Sequence, residues 1–185
     1  MVTGLGPGLY EHMTGAARAS LDSADVIVGY KTYIQLIADL VQDKEVRSSG
    51  MRKEIDRCQE CLDLALSGKN VTLVSSGDAG VYGMAGIMLE LVEKQQAPVE
   101  VEVVPGISAA NAAASTLGAP LMHDYCVISL SNLMTDWEMI KKRIRCAGEG
   151  DFIIALYNPK SKGRPDNIIT CQQILLKYKN PQTPV

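Results

Sequence analysis

Short apolar, β-rich runs alternate along this chain with segments of helical period. That alternation restricts the fold to helices packed on a parallel sheet, an α/β architecture. The clearest run is Val71-Thr-Leu-Val-Ser75, apolar almost throughout, as a strand buried on both faces has to be. Val2-Thr-Gly-Leu5, Asp25-Val-Ile-Val-Gly29 and Val99-Glu-Val-Glu-Val-Val104 read as further strands. Between them, residues 11–23, 32–41 and 81–94 read as helices. Ile55, Cys58, Leu62, Ala65 and Leu66 form another helical stripe, ended by Gly68. Residues 107–117, ISAANAAASTL, make a helix of small side chains that lets a backbone or a ligand come close. A second α/β set follows, with strands at 125–131 and 152–157 and helices at 137–146 and 166–177.

Gly118-Ala-Pro120 breaks the chain, so a first domain is expected over 1–116 and a second over 117–185. The second has only two clear strands. A two-stranded sheet is marginal alone, so the second domain is expected to be truncated at its C-terminus.

Composition removes several classes of function. Charged residues are 21% and hydrophobic residues 46%, which excludes a disordered chain. Aromatics are 5%, so the core has to be aliphatic. A net charge of −3 excludes a globally basic nucleic-acid binder. No apolar run is long enough to span a bilayer. The opening MVTGLGPG lacks a basic region followed by an apolar stretch, so no secretory signal is expected. The five cysteines then read as reduced thiols of a cytoplasmic protein.

Three glycine-containing loops follow strands and are the candidate ligand site. In Gly4-Leu5-Gly6-Pro7-Gly8, a dinucleotide fingerprint would need glycine at position 9, which is leucine. The spacing also suggests a Rossmann-like methyltransferase. That reading wants an acidic residue ending the second strand, and the sequence there is Gly29-Tyr30-Lys31. In the second loop, Ser75 to Gly83, Asp78 is placed to cap the next helix and fix the loop shape. Its carboxylate is expected to accept backbone N–H groups rather than act as a base. Asp78→Asn should then keep much of the binding. In the third, Val104-Pro-Gly-Ile-Ser108, Ser108 either caps its helix or meets a ligand. In a parallel sheet all three loops should converge on one edge.

Other candidates are plainer. Cys58-Gln-Glu-Cys61 has metal-ligand spacing but lies in a helical stripe with no second pair, so buried thiols are the expectation and no metal site. His123-Asp124 reads as a loop element. Lys160, Lys162 and Arg164 follow a strand end and are either a solvated loop or an anion patch.

Taken together, GLGPG, SSGDAGVYGMAG, VVPGISAANAAAS, ISLSNLMTDWE and ALYNPKSKGR resemble the tetrapyrrole methylase superfamily. Within it they look like the precorrin-3B C(17)-methyltransferases, including the anaerobic, cobalt-containing form of that step. The resemblance runs over essentially the whole chain. It implies two α/β domains with S-adenosylmethionine in the cleft between them. It also implies a cytoplasmic homodimer that methylates C-17 of a corrin precursor with ring contraction in cobalamin (porphyrin-type) biosynthesis, leaving S-adenosylhomocysteine. By position it implies cofactor contacts at Pro7, Ser76, Gly77, Asp78, Val81, Ser108, Ala109 and Tyr157. A substrate of many carboxylates calls for cations, with Lys31, Arg47, Arg52, Lys53, Lys160, Lys162 and Arg164 as candidates. No catalytic acid or base is assigned. Methylation of another ring carbon, or a non-catalytic module binding cofactor or tetrapyrrole, are the alternatives.

Overall fold

In the computed structural model, which describes residues 1–185, the chain divides into two units, Met1–Ala113 and Ala114–Val185. The first contains β1 (Val2–Gly4), α1 (Gly15–Asp22), β2 (Val26–Tyr30), α2 (Lys31–Leu36), β3 (Glu45–Ser49), α3 (Glu54–Leu66), β4 (Val71–Ser75), α4 (Ala85–Gln95) and β5 (Val103–Val104). Helix α5 (Ala109–Thr116) runs across the division. The second unit contains β6 (Tyr125–Ser129), α6 (Trp137–Glu149), β7 (Ile153–Tyr157) and α7 (Asn167–Leu175).

The first unit is a five-stranded sheet in the order β3-β2-β4-β1-β5, parallel at every pairing. The period of two sends alternate residues to opposite faces. Val2, Val26, Val28, Val71 and Leu73 pack against Cys58 and Cys61 of α3 and Ala85 and Met88 of α4. Ile27, Val74 and Val104 pack against Ala17 and Leu21 of α1 with Ile37 and Val41. Burying one such large aliphatic side chain is worth about 1.5–3 kcal/mol, and both faces of this sheet are covered. The polar residues on the α1 face pair with each other. Thr3 Oγ1 lies 2.8 Å from Ser20 Oγ, and Thr72 Oγ1 donates to the Ser20 carbonyl at 2.9 Å.

Several elements depart from the sequence reading. β3 is a strand the periodicity did not reveal. It is a polar sheet edge, where Glu45 joins Arg47 at 2.6 Å and Lys69 at 2.8 Å, charges that discourage pairing with another strand. The alternating run from Val99 pairs only at Val103–Val104, because β1 offers it just Val2 and Thr3. Helix α4 starts at Ala85 rather than 81, since Tyr82 stands at φ +53 in the left-handed region. In α3 the inward stripe is Cys58, Cys61, Leu62 and Ala65, while Ile55 is 66% exposed.

The second unit pairs β6 with β7 in parallel. α6 and α7 cover one face through Ile140, Ile144, Ala147 and Cys171 against Cys126, Ile128, Ile154 and Leu156. Asp136 caps α6, accepting from Glu138 N at 2.9 Å. No helix is long and apolar enough to cross a membrane.

Candidate functional site

The register of the first sheet sets Gly4 beside Ser75 and Thr3 beside Val104, so β4, β1 and β5 end level and side by side. The three glycine loops leave from these adjacent ends. Leu5 N donates to Ser75 O at 2.8 Å, and Gly6 and Gly77 exchange N–H···O bonds of 3.0 and 2.8 Å. The loops approach more closely than any side chain permits. A Cβ on Gly106 would stand 2.2 Å from Gly77 O and 2.6 Å from Gly4 O. One on Gly4 would stand 2.6 Å from Gly77 O. Glycine is required here by backbone packed on backbone.

Asp78 fastens the second loop to the third. Its Oδ1 accepts from Gly80 N at 2.8 Å and its Oδ2 from Gly106 N at 3.0 Å. It does not cap the following helix, whose N-cap position is Met84 with no side-chain bond. Because both oxygens accept, an asparagine can serve only one of the two N–H groups, and the expectation for Asp78→Asn is reduced accordingly. Ser108 Oγ accepts from Asn111 N at 3.3 Å, so its hydroxyl is used as a cap. Thr14 Oγ1 accepts from Ala17 N at 3.1 Å and donates to Pro105 O at 3.2 Å, tying the start of α1 to the third loop.

Pro7, Ser76, Val81 and Ala109 are exposed along this edge, with Gly77, Asp78 and Ser108 half-buried behind them. Residues 5–8, 76–83 and 105–109 contain no lysine, arginine or histidine, and one carboxylate that is already engaged. Such a surface offers backbone polar groups and small side chains. Its polar groups are backbone N–H and C=O groups and hydroxyls rather than charged side chains. Tyr157 lies in the second unit as the last residue of β7, half-buried.

The cations are distributed differently. Lys31 opens α2 directly after β2 and is exposed. Arg52, at φ +60, and Lys53 are exposed in the turn after β3. Lys53 is joined to Asp56 at 2.8 Å, which pushes its pKa upward. Arg47 is taken up by Glu45 within β3, whose carboxyl is held below its usual range by Lys69 and then Arg47. In the second unit Lys160 and Lys162 are exposed, whereas Arg164 Nη1 donates to Leu130 O at 3.2 Å and braces its own loop.

Cys58 and Cys61 are buried in the core, and burial pushes the Cys58 thiol up to about 11 and that of Cys61 higher still. They are protonated packing groups at neutral pH. Sequence reasoning passed over Arg57. It sits in the helical segment with an ordinary surface charge pattern, yet it is 3% exposed.

Comparison with known proteins follows the same line. The model of the Tetrapyrrole (Corrin/Porphyrin) Methylases matches residues 1–185. The chain is 53% identical over 184 residues to the "Probable cobalt-factor III C(17)-methyltransferase" of Salmonella typhimurium, covering all of this chain and 76% of that protein. It is 52% identical over 189 residues to the "Cobalt-factor III methyltransferase" of Priestia megaterium, covering all of this chain but only 35% of that protein. Among solved structures, the methyltransferase CobJ superposes with a TM-score of 0.91 at 41% identity, over 97% of this chain and 76% of that one.

Proposed function

The chain belongs to the tetrapyrrole (corrin/porphyrin) methylases, and we propose on that premise that it is an S-adenosylmethionine-dependent C-methyltransferase of cobalamin biosynthesis. Its substrate on this reading is a corrin precursor methylated at C-17 with ring contraction, precorrin-3B or its cobalt-containing counterpart. The names carried by the two relatives favour the cobalt-containing form. The single observation that carries the cofactor reading is the set of three interlocked strand-end loops, free of cations and with their one carboxylate engaged.

The cofactor, when bound, supplies a methyl group already activated on a sulfonium. The acceptor is an electron-rich carbon of a reduced pyrrole. What remains for the protein is to hold the two in line and keep water away. Backbone packed on backbone at Gly4, Gly77 and Gly106 suits that task, because it fixes the loops without rotamers to settle. Asp78 belongs to this machinery as a brace, since both its oxygens accept N–H bonds. Pro7, Ser76, Gly77, Asp78, Val81, Ser108, Ala109 and Tyr157 are the proposed cofactor residues. Lys31, Arg52, Lys160 and Lys162 are the proposed carboxylate contacts, and the same reading makes the protein a cytoplasmic homodimer.

Calorimetry with S-adenosylhomocysteine, followed by turnover on the trimethylated intermediate with and without cobalt, tests the proposal. Binding, followed by a product carrying its new methyl at C-17, is the expected result. A product methylated at another carbon would assign the chain to another reaction of the family. Cofactor binding without turnover on either substrate would make it a binding module.

A further inference from the structure

Arg57 is the one charged residue in the cores of this protein, 3% exposed and in no salt bridge. Its Nε donates to Ser49 Oγ at 3.0 Å and its Nη2 to Gly50 O at 3.0 Å. Its Nη1 faces only Met84 Sδ at 3.9 Å, and its guanidinium carbon lies 6.0 Å from the centre of the Tyr30 ring. All of these partners are neutral. A guanidinium carries its charge into the interior, and burying a charge without an opposite one is costly.

Its position gives that cost a purpose. Ser49 ends β3, Tyr30 ends β2, and Met84 precedes α4. Arg57 is therefore at the carboxyl edge of the sheet, where ligands of parallel sheets sit. Along the order β3-β2-β4-β1-β5, cations are placed unevenly on that edge. The loops of the last three strands contain no lysine or arginine, and the one arginine that reaches them, Arg18 of α1, is taken up by Tyr10, donating to its carbonyl at 2.7 Å and stacking on its ring at 3.9 Å. The first two strand ends carry Lys31 and Arg52, neither of them in a salt bridge, beside the buried Arg57.

We propose that Arg57 is a positioning residue for carboxylate recognition. It ties the Ser49–Gly50 turn to the strand ends and leaves a buried positive charge, beside Lys31 and Arg52, that carboxylates of the substrate neutralise. The inference rests on the tetrapyrrole reading above, and it assigns the β3–β2 half of the edge to the substrate's acid groups.

The test measures binding of two probes to the full chain: uroporphyrin, a tetrapyrrole with eight carboxylates, and S-adenosylhomocysteine. Arg57→Met removes the charge at similar volume, and Arg57→Lys keeps it. Arg57→Met is expected to weaken uroporphyrin about ten-fold, the effect of one charge at short range, and Arg57→Lys only about two- to three-fold. Both should leave S-adenosylhomocysteine unchanged, and Arg57→Met should make uroporphyrin binding less sensitive to salt. Met84→Glu supplies the missing acidic partner without removing the arginine. It should weaken uroporphyrin in the same way, and it decides the matter if Arg57→Met does not fold. Unchanged uroporphyrin affinity in Arg57→Met or Met84→Glu overturns the inference. So does an Arg57→Lys protein as weak as Arg57→Met, or loss of both probes in equal proportion, which marks a purely structural role. A wild-type chain that binds S-adenosylhomocysteine but not uroporphyrin overturns the tetrapyrrole reading itself, and with it this inference.

Discussion

The strand ends of the first unit and those of the second are held by different means. At β4, β1 and β5 the loops are pressed backbone to backbone through Gly4, Gly77 and Gly106, with Asp78 and Thr14 as side-chain braces. At β6 and β7 the loops are laced by side chains. Leu130 O accepts from Asn167 Nδ2 at 2.7 Å and from Arg164 Nη1 at 3.2 Å, and Asn158 Nδ2 donates to Ser129 Oγ at 3.0 Å. A backbone contact has no rotamer to change, whereas a side-chain contact can be made, broken and replaced at a cost of about 1 kcal/mol. The first arrangement suits a ligand whose shape never varies. The second tolerates adjustment.

The sharpest way to break this comparison is Gly106→Ala. The added Cβ meets two backbone oxygens that no flexible side chain can move aside. A loss of about 3 kcal/mol or more is expected, with loss of S-adenosylhomocysteine binding, read by urea unfolding and calorimetry. A variant with the wild-type midpoint would mean that the loops are not locked by contact.

Asp78→Ala comes next. It removes an acceptor from two N–H groups, at roughly 1.5–3 kcal/mol for each bond to a charged group, reduced because Asp78 is half-buried. About 2–3 kcal/mol in all is expected, and Asp78→Asn should lose about half of it. Turnover abolished in Asp78→Asn with cofactor affinity intact would instead reveal acid–base chemistry.

Alkali offers a comparison between the units. Burial pushes Cys58 in the first unit and Cys171 in the second up to about 11, from an ordinary 9.0. A raised thiol pKa means that the folded state holds its proton more tightly. The stabilisation is complete below about pH 9 and is lost as pH rises through about 11. On the order of 2–3 kcal/mol per thiol is at stake. The single tryptophan, Trp137, packs in the second core and reports that unit alone. Cys171→Ala should flatten the alkaline loss seen by its fluorescence, and Cys58→Ala should leave that signal unmoved. A fluorescence transition that follows Cys58→Ala would show the two units unfolding as one.

The smallest effect belongs to Asn167→Ala, about 1 kcal/mol, because Arg164 still serves Leu130 O. The urea midpoint from Trp137 fluorescence should fall slightly while S-adenosylhomocysteine affinity stays constant. A change in that affinity would show that the lacing of the second unit is felt at the cofactor loops.

The difference between the two kinds of strand end also decides what was legible in the sequence. Gly6 and Gly106 announce themselves because a Cβ there would run into backbone, and Gly77 because its φ of +62 favours glycine; each follows an apolar run. The burial of Val71–Ser75 was readable for the same reason: five residues with scarcely a polar atom fit only the middle of a sheet. Strand β3 was not, since an edge strand succeeds by being polar. Arg57 was invisible because a helix of mixed charge looks solvated whichever way one arginine turns, and only the fold places it under Tyr30 and Gly50. The start of α4 was misplaced because nothing in Gly80-Val-Tyr-Gly83 declares that Tyr82 takes a left-handed backbone.

β1 is first of the strands in the chain, yet it lies between β4 and β5 in the sheet. On the ribosome its partners do not yet exist when it emerges. Val71–Ser75 follows some seventy residues later, roughly 4–14 s at 5–20 residues per second, and Val103–Val104 later still. Meanwhile β2 and β3, neighbours in the chain as in the sheet, can close on each other. The nascent protein therefore carries Val2 and Leu5 unpaired through much of its synthesis, and completion of its sheet is governed by the pace of translation.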